Sequence, residues 1–555
     1  MTRKVFLILL ALVLALSVGL VACGGGGEEE EEEEEETYGL TITSSAGGSV
    51  TTPGEAGPYT YAEGEVVNLV AEPDEGYRFQ NWTGDVDTIT DVNAASTTIT
   101  MNGDYSITAT FEEDELVTFV DYNLEIVVRE AIAKPQGAIY AQDMEQLTQL
   151  DADGRGISDL SGLQYATHLE WFWVRSNKIS DVSPLANLTG LTGLWLFSNE
   201  VSDISPLANL TNLTELDLEY NQIGDMSPLA NLTSLTSLGL MGNEISDFSP
   251  LSNLTLLTRL SLSGDQIPDL SILANLTELT ELWLSSHSIG DISSLVDLTN
   301  LTMLGITDSQ MSDISSLANL SELTNLWLNN NQISDITPLA NLTQLEVLRL
   351  EDNQIQDISP LANLTGLSDL RINGNQISDI SVLANFTSLI VLTLSGHSIE
   401  DILSLVDLTK LIYLRLDHGQ INDISPLASL TNAIDLELDF NQISDISPLA
   451  NLTNLRQLAL LNNQISDISP VANLTQLYDL NVADNQISDI SPLASLTRLT
   501  ELHLSNNQIT DISPLIANPG LSERDEVYLS GNPLNSMSIN TYIPQLEARG
   551  VIVDY

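Results

Sequence analysis

From about Leu147 onward, apolar and polar positions follow one repeating figure, L-x-x-L-x-L-x-x-N-x-I-x-D-I-S-P-L-A-N-L-T. In the copy running from Leu191 to Asn212, Leu194 and Leu196 alternate with Gly193, Trp195 and Phe197, the two-residue period of a short strand with one buried face. Val201, Ile204, Leu207 and Leu210 return along the other side and fill the interior. Asn199 lies between the two legs. A polar residue enclosed in a turn is tolerated when its amide hydrogen-bonds the loop backbone, so stacked copies are predicted to form an asparagine ladder. Ser205 followed by Pro206 reads as a helix N-cap with proline at the first helical position, which predicts a short helical turn on the return leg. Seventeen aspartates, Asp159 to Asp511, keep a spacing of 22 residues without interruption. A period of that length means one structural unit stacked on copies of itself, a solenoid. A lone unit buries too little to offset the entropy of ordering it, so stability requires a run of neighbours with protected ends.

Both ends carry candidates for that protection. Asn123 to Ala133 has helical spacing at Leu124, Val127, Val128 and Ile132, and Ala141 to Leu147 reads as a second short helix; together they are expected to cover a first strand, Leu147 to Ala152. At the other end the beat slips by three residues, with Asn507 followed by Asn532. Ser538 to Arg549 then predicts an amphipathic helix and Val551 to Tyr555 a last strand, so the chain is expected to be complete. Residues 37 to about 112 differ in composition. Alternating runs at Leu40–Thr43, Val66–Val70, Thr98–Met101 and Ser106–Ala109, separated by turn residues, predict a small all-β domain with Tyr77, Phe79 and Trp82 in its core.

The repeat resembles the leucine-rich repeat family, in particular the 22-residue bacterial class typified by internalins, over roughly residues 115 to 555. The resemblance implies a curved array of parallel strands with short helical or extended convex segments, capped at both ends, in which the concave strand face binds other macromolecules. The stretch Tyr61–Val66, Gly76–Phe79 and Asn81–Asp85 resembles the divergent internalin B-repeat module, whose implied role is that of a spacer or adhesive unit. The expected fold class is therefore an α/β solenoid preceded by a small all-β domain.

Arg3 and Lys4 precede an apolar run, Val5 to Val21, that ends in Leu20-Val21-Ala22-Cys23. That tetrapeptide resembles a bacterial lipobox, which implies cleavage before Cys23 and lipidation of its thiol. Cys23 is the only cysteine in 555 residues, so no internal disulfide forms. An uncleaved membrane helix is the alternative, but the run falls short of the roughly 20 residues a span needs. Gly24 to Gly27 and Glu28 to Glu36 can bury nothing and repel one another, as a solvated tether does. The expected organisation is a signal peptide and lipidated cysteine at 1–23, a tether at 24–36, a β module at 37–113, cap helices at 114–147, repeats at 148–534 and a C-terminal cap at 535–555.

With 77 acidic against 17 basic residues the net charge is −60. Nucleic acid is excluded as a partner, because phosphate neutralisation supplies most of that affinity, and cationic partners are favoured. The aspartate column could form a cation-binding edge, but one carboxylate per copy offers no cage of six to eight oxygens. Hydrogen bonding to the backbone of its own turn is the preferred reading. Asp151-Ala152-Asp153-Gly154 likewise reads as a turn rather than a calcium loop.

The outward strand positions are the candidate binding surface. Trp171, Trp173, Trp195, Trp283 and Trp327 lie there, with Phe197 extending the first cluster, and so do Arg175, Arg259, Arg349, Arg371 and Arg415. Strand packing does not require large aromatics on a solvated face, whereas a binding surface gains from rigid amphipathic area. Stacking between neighbouring copies and ordinary surface ion pairs are the competing explanation. Five ladder positions depart from asparagine, namely Asp265, His287, Ser309, His397 and Gly419; local softening of the turn is expected there, and the 110-residue spacing of the histidines points to duplication of a five-unit block. No phosphate-cradling loop, H-E-x-x-H or nucleophile elbow is present, and His168, His287, His397, His418 and His503 are scattered. The sequence thus predicts a non-catalytic, cofactor-free, lipid-anchored surface protein that grips a protein ligand, with a surface glycan or a purely architectural role as alternatives.

Overall fold

The computed structural model describes residues 36–263, 270–285 and 289–555, which fall into two compact units divided between Glu115 and Leu116. The signal peptide, Cys23, nearly all of the tether, and the ladder positions Asp265 and His287 lie outside the described residues.

The first unit contains β1 (Thr37–Ser44), β2 (Gly48–Thr52), β3 (Tyr59–Ala62), β4 (Val66–Pro73), β5 (Tyr77–Gly84), β6 (Ser96–Thr100) and β7 (Tyr105–Glu113). They form a four-stranded sheet in the order β3-β1-β7-β5 and a three-stranded sheet β2-β4-β6. Alternation drives the assembly: Ile107, Ala109 and Phe111 of β7 face a core with Leu40, Leu69, Ile99 and Met101. Trp82 is fully buried, donates its indole N–H to the Ala94 carbonyl at 3.0 Å and packs on Phe79 at 5.7 Å. Tyr77 lies instead over Gly47, where a Cβ would enter its ring.

In the second unit, α1 (Tyr122–Ala131) and α2 (Ala141–Met144) precede nineteen parallel strands, β8 (Gln149–Asp151) to β26 (Ile552–Asp554). Each strand pairs only with its sequence neighbours, so the sheet is open, with β8 and β26 at its edges. Register is uniform. Leu194 sits beside Leu216 and Leu216 beside Leu238, the same position one coil on. A single hydrophobic core runs the length of this unit, from Val117 to Val551. The helical end caps predicted from the sequence are present, and α1 takes its own cap from Asp121, whose carboxylate accepts from the Asn123 amide at 2.8 Å.

The asparagine ladder is real. Asn199, 8% exposed, accepts from the Ile179 amide at 3.0 Å and donates to the carbonyls of Val174 at 2.9 Å and Leu196 at 3.0 Å. Each such residue therefore ties its own turn to the coil before it. The three-residue slip after Asn507 is absorbed by α3 (Ser513–Ala517), after which Asn532 resumes the same bonds with Ile509 and Leu504.

Two expectations at this scale are corrected. The return leg opens with a short 3₁₀ turn, Ser205–Asn209, yet Ser205 is not its cap. The side chain that receives the free backbone amide is Asp203, which accepts from Ser205 N–H at 2.8 Å. That contact recurs along the column, as at Asp313 and Asp445, and backbone hydrogen bonding holds those carboxyls below the ordinary aspartate range. The aspartates are thus turn caps. His397, expected to soften its turn, keeps the tie to the coil before it. Its Nδ1 accepts from Ile377 N–H at 3.3 Å and its Nε2 donates to the Ile372 carbonyl at 2.8 Å, so the imidazole reproduces the asparagine's two bonds to the preceding coil and lacks only the one within its own turn.

Candidate functional site

Two outward positions per strand form parallel rows on the strand face. On β9 (Trp171–Trp173) both are tryptophan, and on β10 (Gly193–Trp195) Gly193 lies beside Trp171 and Trp195 beside Trp173. The three indoles stack. Centroids are 6.2 Å apart for Trp171 and Trp173, 5.6 Å for Trp171 and Trp195 and 5.2 Å for Trp173 and Trp195, with planes within 16°. Gly193 makes this possible, because a Cβ there would stand 2.5 Å from Cη2 of Trp195 and 2.6 Å from Cε3 of Trp171. The same device recurs further along. Gly305 sits in register beside Trp283, whose ring occupies the space a Cβ would need, and Trp283 meets Trp327 at 4.6 Å. The five outward tryptophans are therefore two pads, each with a glycine beneath. A glycine in register with a tryptophan one coil away was the sequence signal for this, and it was missed.

Phe197 does not join the first pad. It packs edge-on against Tyr220 at 5.2 Å, because its place on the strand face lies beyond the indoles and toward the turn. Between the pads the face carries small residues, Ser237, Gly239 and Ser261, and a depression of about 410 Å³ opens from Trp195 to Trp283. Its flanks are acidic: Glu215, Asp217, Glu219 and Glu281, against Arg259 alone. Burial pushes the Asp217 carboxyl up to about 6, with the Glu219 charge acting in the same direction.

The arginines on this face are all paired. Arg175 bonds Asp153 at 2.6 Å, Arg259 Glu281 at 3.2 Å, Arg371 Asp369 at 3.0 Å and Arg415 Glu437 at 3.2 Å, while Arg349 reaches Asp369 at 3.6 Å. Beyond Arg415 the face is acidic, and burial pushes Asp435 and Asp439 up to about 6. Asp479, Glu501 and His503 bring ligand-type atoms within 4.8 Å of one another. The histidine's bond to Glu501 at 2.9 Å and its stacking on Tyr528 at 4.5 Å account for its position.

Two family models match the chain. The divergent InlB B-repeat domain matches residues 38–115, and leucine-rich repeats match 167–209, 211–253, 299–341, 343–385, 434–473 and 475–517. The chain is an internalin-like leucine-rich repeat protein. Among solved structures, an internalin, InlF, from Listeria monocytogenes is 36% identical, covering 69% of this chain and 94% of that one, at a TM-score of 0.40. A leucine-rich repeat protein of Leptospira interrogans is 20% identical over 75% of this chain and 97% of that one, at a TM-score of 0.51. The ectodomain of the Arabidopsis receptor kinase HAESA, solved with a peptide hormone ligand, is 22% identical over 71% of this chain and 72% of that one, also at 0.51. No curated protein matches the chain. This internalin-like protein thus shares its repeat fold with receptors, and proteins of this kind are typically binding scaffolds. Among the described residues no helix is long and apolar enough to cross a membrane.

Proposed function

We propose that this internalin-like protein is a non-catalytic, lipid-anchored surface receptor that binds a protein ligand across the two tryptophan pads and the acidic depression between them. The observation that carries the reading is the pair of glycines. Gly193 and Gly305 give up side chains so that indoles can lie flat on a solvated face, an arrangement the strands do not require for their own pairing. Flat, rigid aromatic surface flanked by polar residues is the make-up of interface hot spots. The surplus of carboxylates in the depression favours a ligand segment carrying lysine or arginine, whose cation can also sit over an indole. The arginines serve instead to fix neighbouring carboxylates. The Cys23 lipobox and the acidic run after it support attachment to the bacterial envelope with the folded units held outward. The divergent internalin B-repeat module is then a spacer.

The test is capture from bacterial-envelope and host-surface extracts by wild type and by the Trp171→Ala/Trp173→Ala/Trp195→Ala variant, read by mass spectrometry, with protein and glycan arrays in parallel. A protein retained by wild type and lost by the variant is expected. Retention of the same ligand by the variant would remove the pads from the mechanism. Binding confined to the glycan array would replace the protein ligand by sugar rings stacked on the indoles.

A further inference from the structure

The residue just before each strand lies on a flank of the array, away from the strand face. In nine coils it is a hydroxyl residue, from Thr192 to Thr500, and its Oγ donates to the carbonyl of the residue one coil back at 3.0 to 3.2 Å. On three successive coils the position is isoleucine: Ile390, Ile412 and Ile434. The backbone is unaffected, since Ile412 N–H reaches Ile390 O at 2.9 Å and Ile434 N–H reaches Ile412 O at 2.9 Å, as Thr214 N–H reaches Thr192 O at 2.8 Å. Threonine offers the same β-branching together with a hydrogen bond. The other coils are therefore an internal control, and they show that folding does not call for isoleucine here. Ile390 and Ile412 stay 41% and 39% exposed. At about 4.8 Å per strand the three make an apolar stripe roughly 10 Å long.

The stripe floors a depression of about 560 Å³ whose rim includes Lys410 and Arg456, with the amides of Asn432, Asn454 and Gln476 between them. In a chain with 77 acidic and 17 basic residues, two cations beside one apolar patch are a local inversion of charge. Unlike the arginines of the strand face, neither makes an ion pair or side-chain hydrogen bond among the described residues.

We propose that this flank is a second docking surface, separate from the tryptophan pads, for an acidic amphipathic peptide segment of a partner protein. Its apolar side chains cover Ile390, Ile412 and Ile434, and its carboxylates reach Lys410 and Arg456. A second copy of this chain is disfavoured by the net charge of −60 that each copy would bring.

The test is selection of a random dodecapeptide phage library on the full chain, with counter-selection on the Ile390→Thr/Ile412→Thr/Ile434→Thr variant, which restores the hydroxyl found in the other coils. The expected survivors mix aspartate or glutamate with apolar residues. They bind the triple variant at least tenfold more weakly, bind Lys410→Asn/Arg456→Thr more weakly with most of that loss at low salt, and bind the Trp171→Ala/Trp173→Ala/Trp195→Ala variant as they bind wild type. Matching unfolding midpoints confirm that the variants fold. An empty counter-selection, basic survivors, or affinity unchanged in both flank variants would each overturn the proposal. Loss of binding only in the tryptophan variant would assign the peptides to the strand face.

Discussion

Single side chains tie each turn to the coil before it. His397 shows how narrow the requirement is: what counts is an acceptor toward Ile377 N–H and a donor toward Ile372 O, and a neutral imidazole supplies both. Protonation would turn the acceptor into a donor facing an amide, and burial accordingly lowers the His397 pKa below its usual value. The folded state therefore resists a proton that the unfolded chain accepts near pH 6.5. Stability should be unaffected above that pH and fall as the pH drops from about 6.5 through the depressed folded value. Asp217, Asp435 and Asp439 act in the opposite sense, since a raised carboxyl contributes stability that is lost as pH rises through about 6. The difference between wild type and His397→Asn isolates the histidine: urea midpoints should converge at pH 7.5 and separate at pH 5, with the asparagine variant the more stable. Gly193 offers a second residue-level check. Gly193→Val should break the indole stack without unfolding the array, seen as loss of the tryptophan exciton signal in circular dichroism at an unchanged melting temperature, together with weaker ligand binding.

At the level of the coil, the sequence revealed what its period constrains and concealed what depends on geometry. Leu194 and Leu196 point inward and Asn199 enters the ladder because each repeats at fixed spacing and each has one physically acceptable place. The cap was harder to read. Ser205 and Asp203 are both plausible caps by residue type, and only the backbone angles show that the free Ser205 amide points back toward Asp203. The tryptophan pads were half legible: alternation placed the indoles outward, but their flat stacking depends on glycines in the adjacent strand, a relation between coils rather than within one. Phe197 was misplaced because the strand ends at Trp195, so Phe197 lies past it and packs on Tyr220 of the neighbouring coil. The cap reading can be measured. Asp423→Ala, which deprives Ser425 N–H of its acceptor, should lower the melting temperature, while Asp423→Asn, which keeps an acceptor oxygen, should restore most of the loss.

Over the whole repeat unit, the governing fact is a core continuous from Val117 to Val551 and closed at both ends. Such an array is stabilised by nearest-neighbour contacts and loses cooperativity from an unprotected end. Deleting residues 535–555 should strip the cover from the last coils, giving aggregation on size-exclusion chromatography and a broadened thermal transition, whereas deleting residues 37–113 should leave that transition in place. Uniform register has a further consequence. Trp195 and Trp283 stand four strands apart, roughly 19 Å at about 4.8 Å each, so the array measures length the way a ruler does. Duplicating Leu235–Leu256 would lengthen that ruler by one graduation without disturbing any join. A ligand spanning both pads should then slip out of gauge, losing affinity on a protein that folds as well as before, and gain or loss of a single coil becomes a route by which descendants of this chain could exchange one ligand for another.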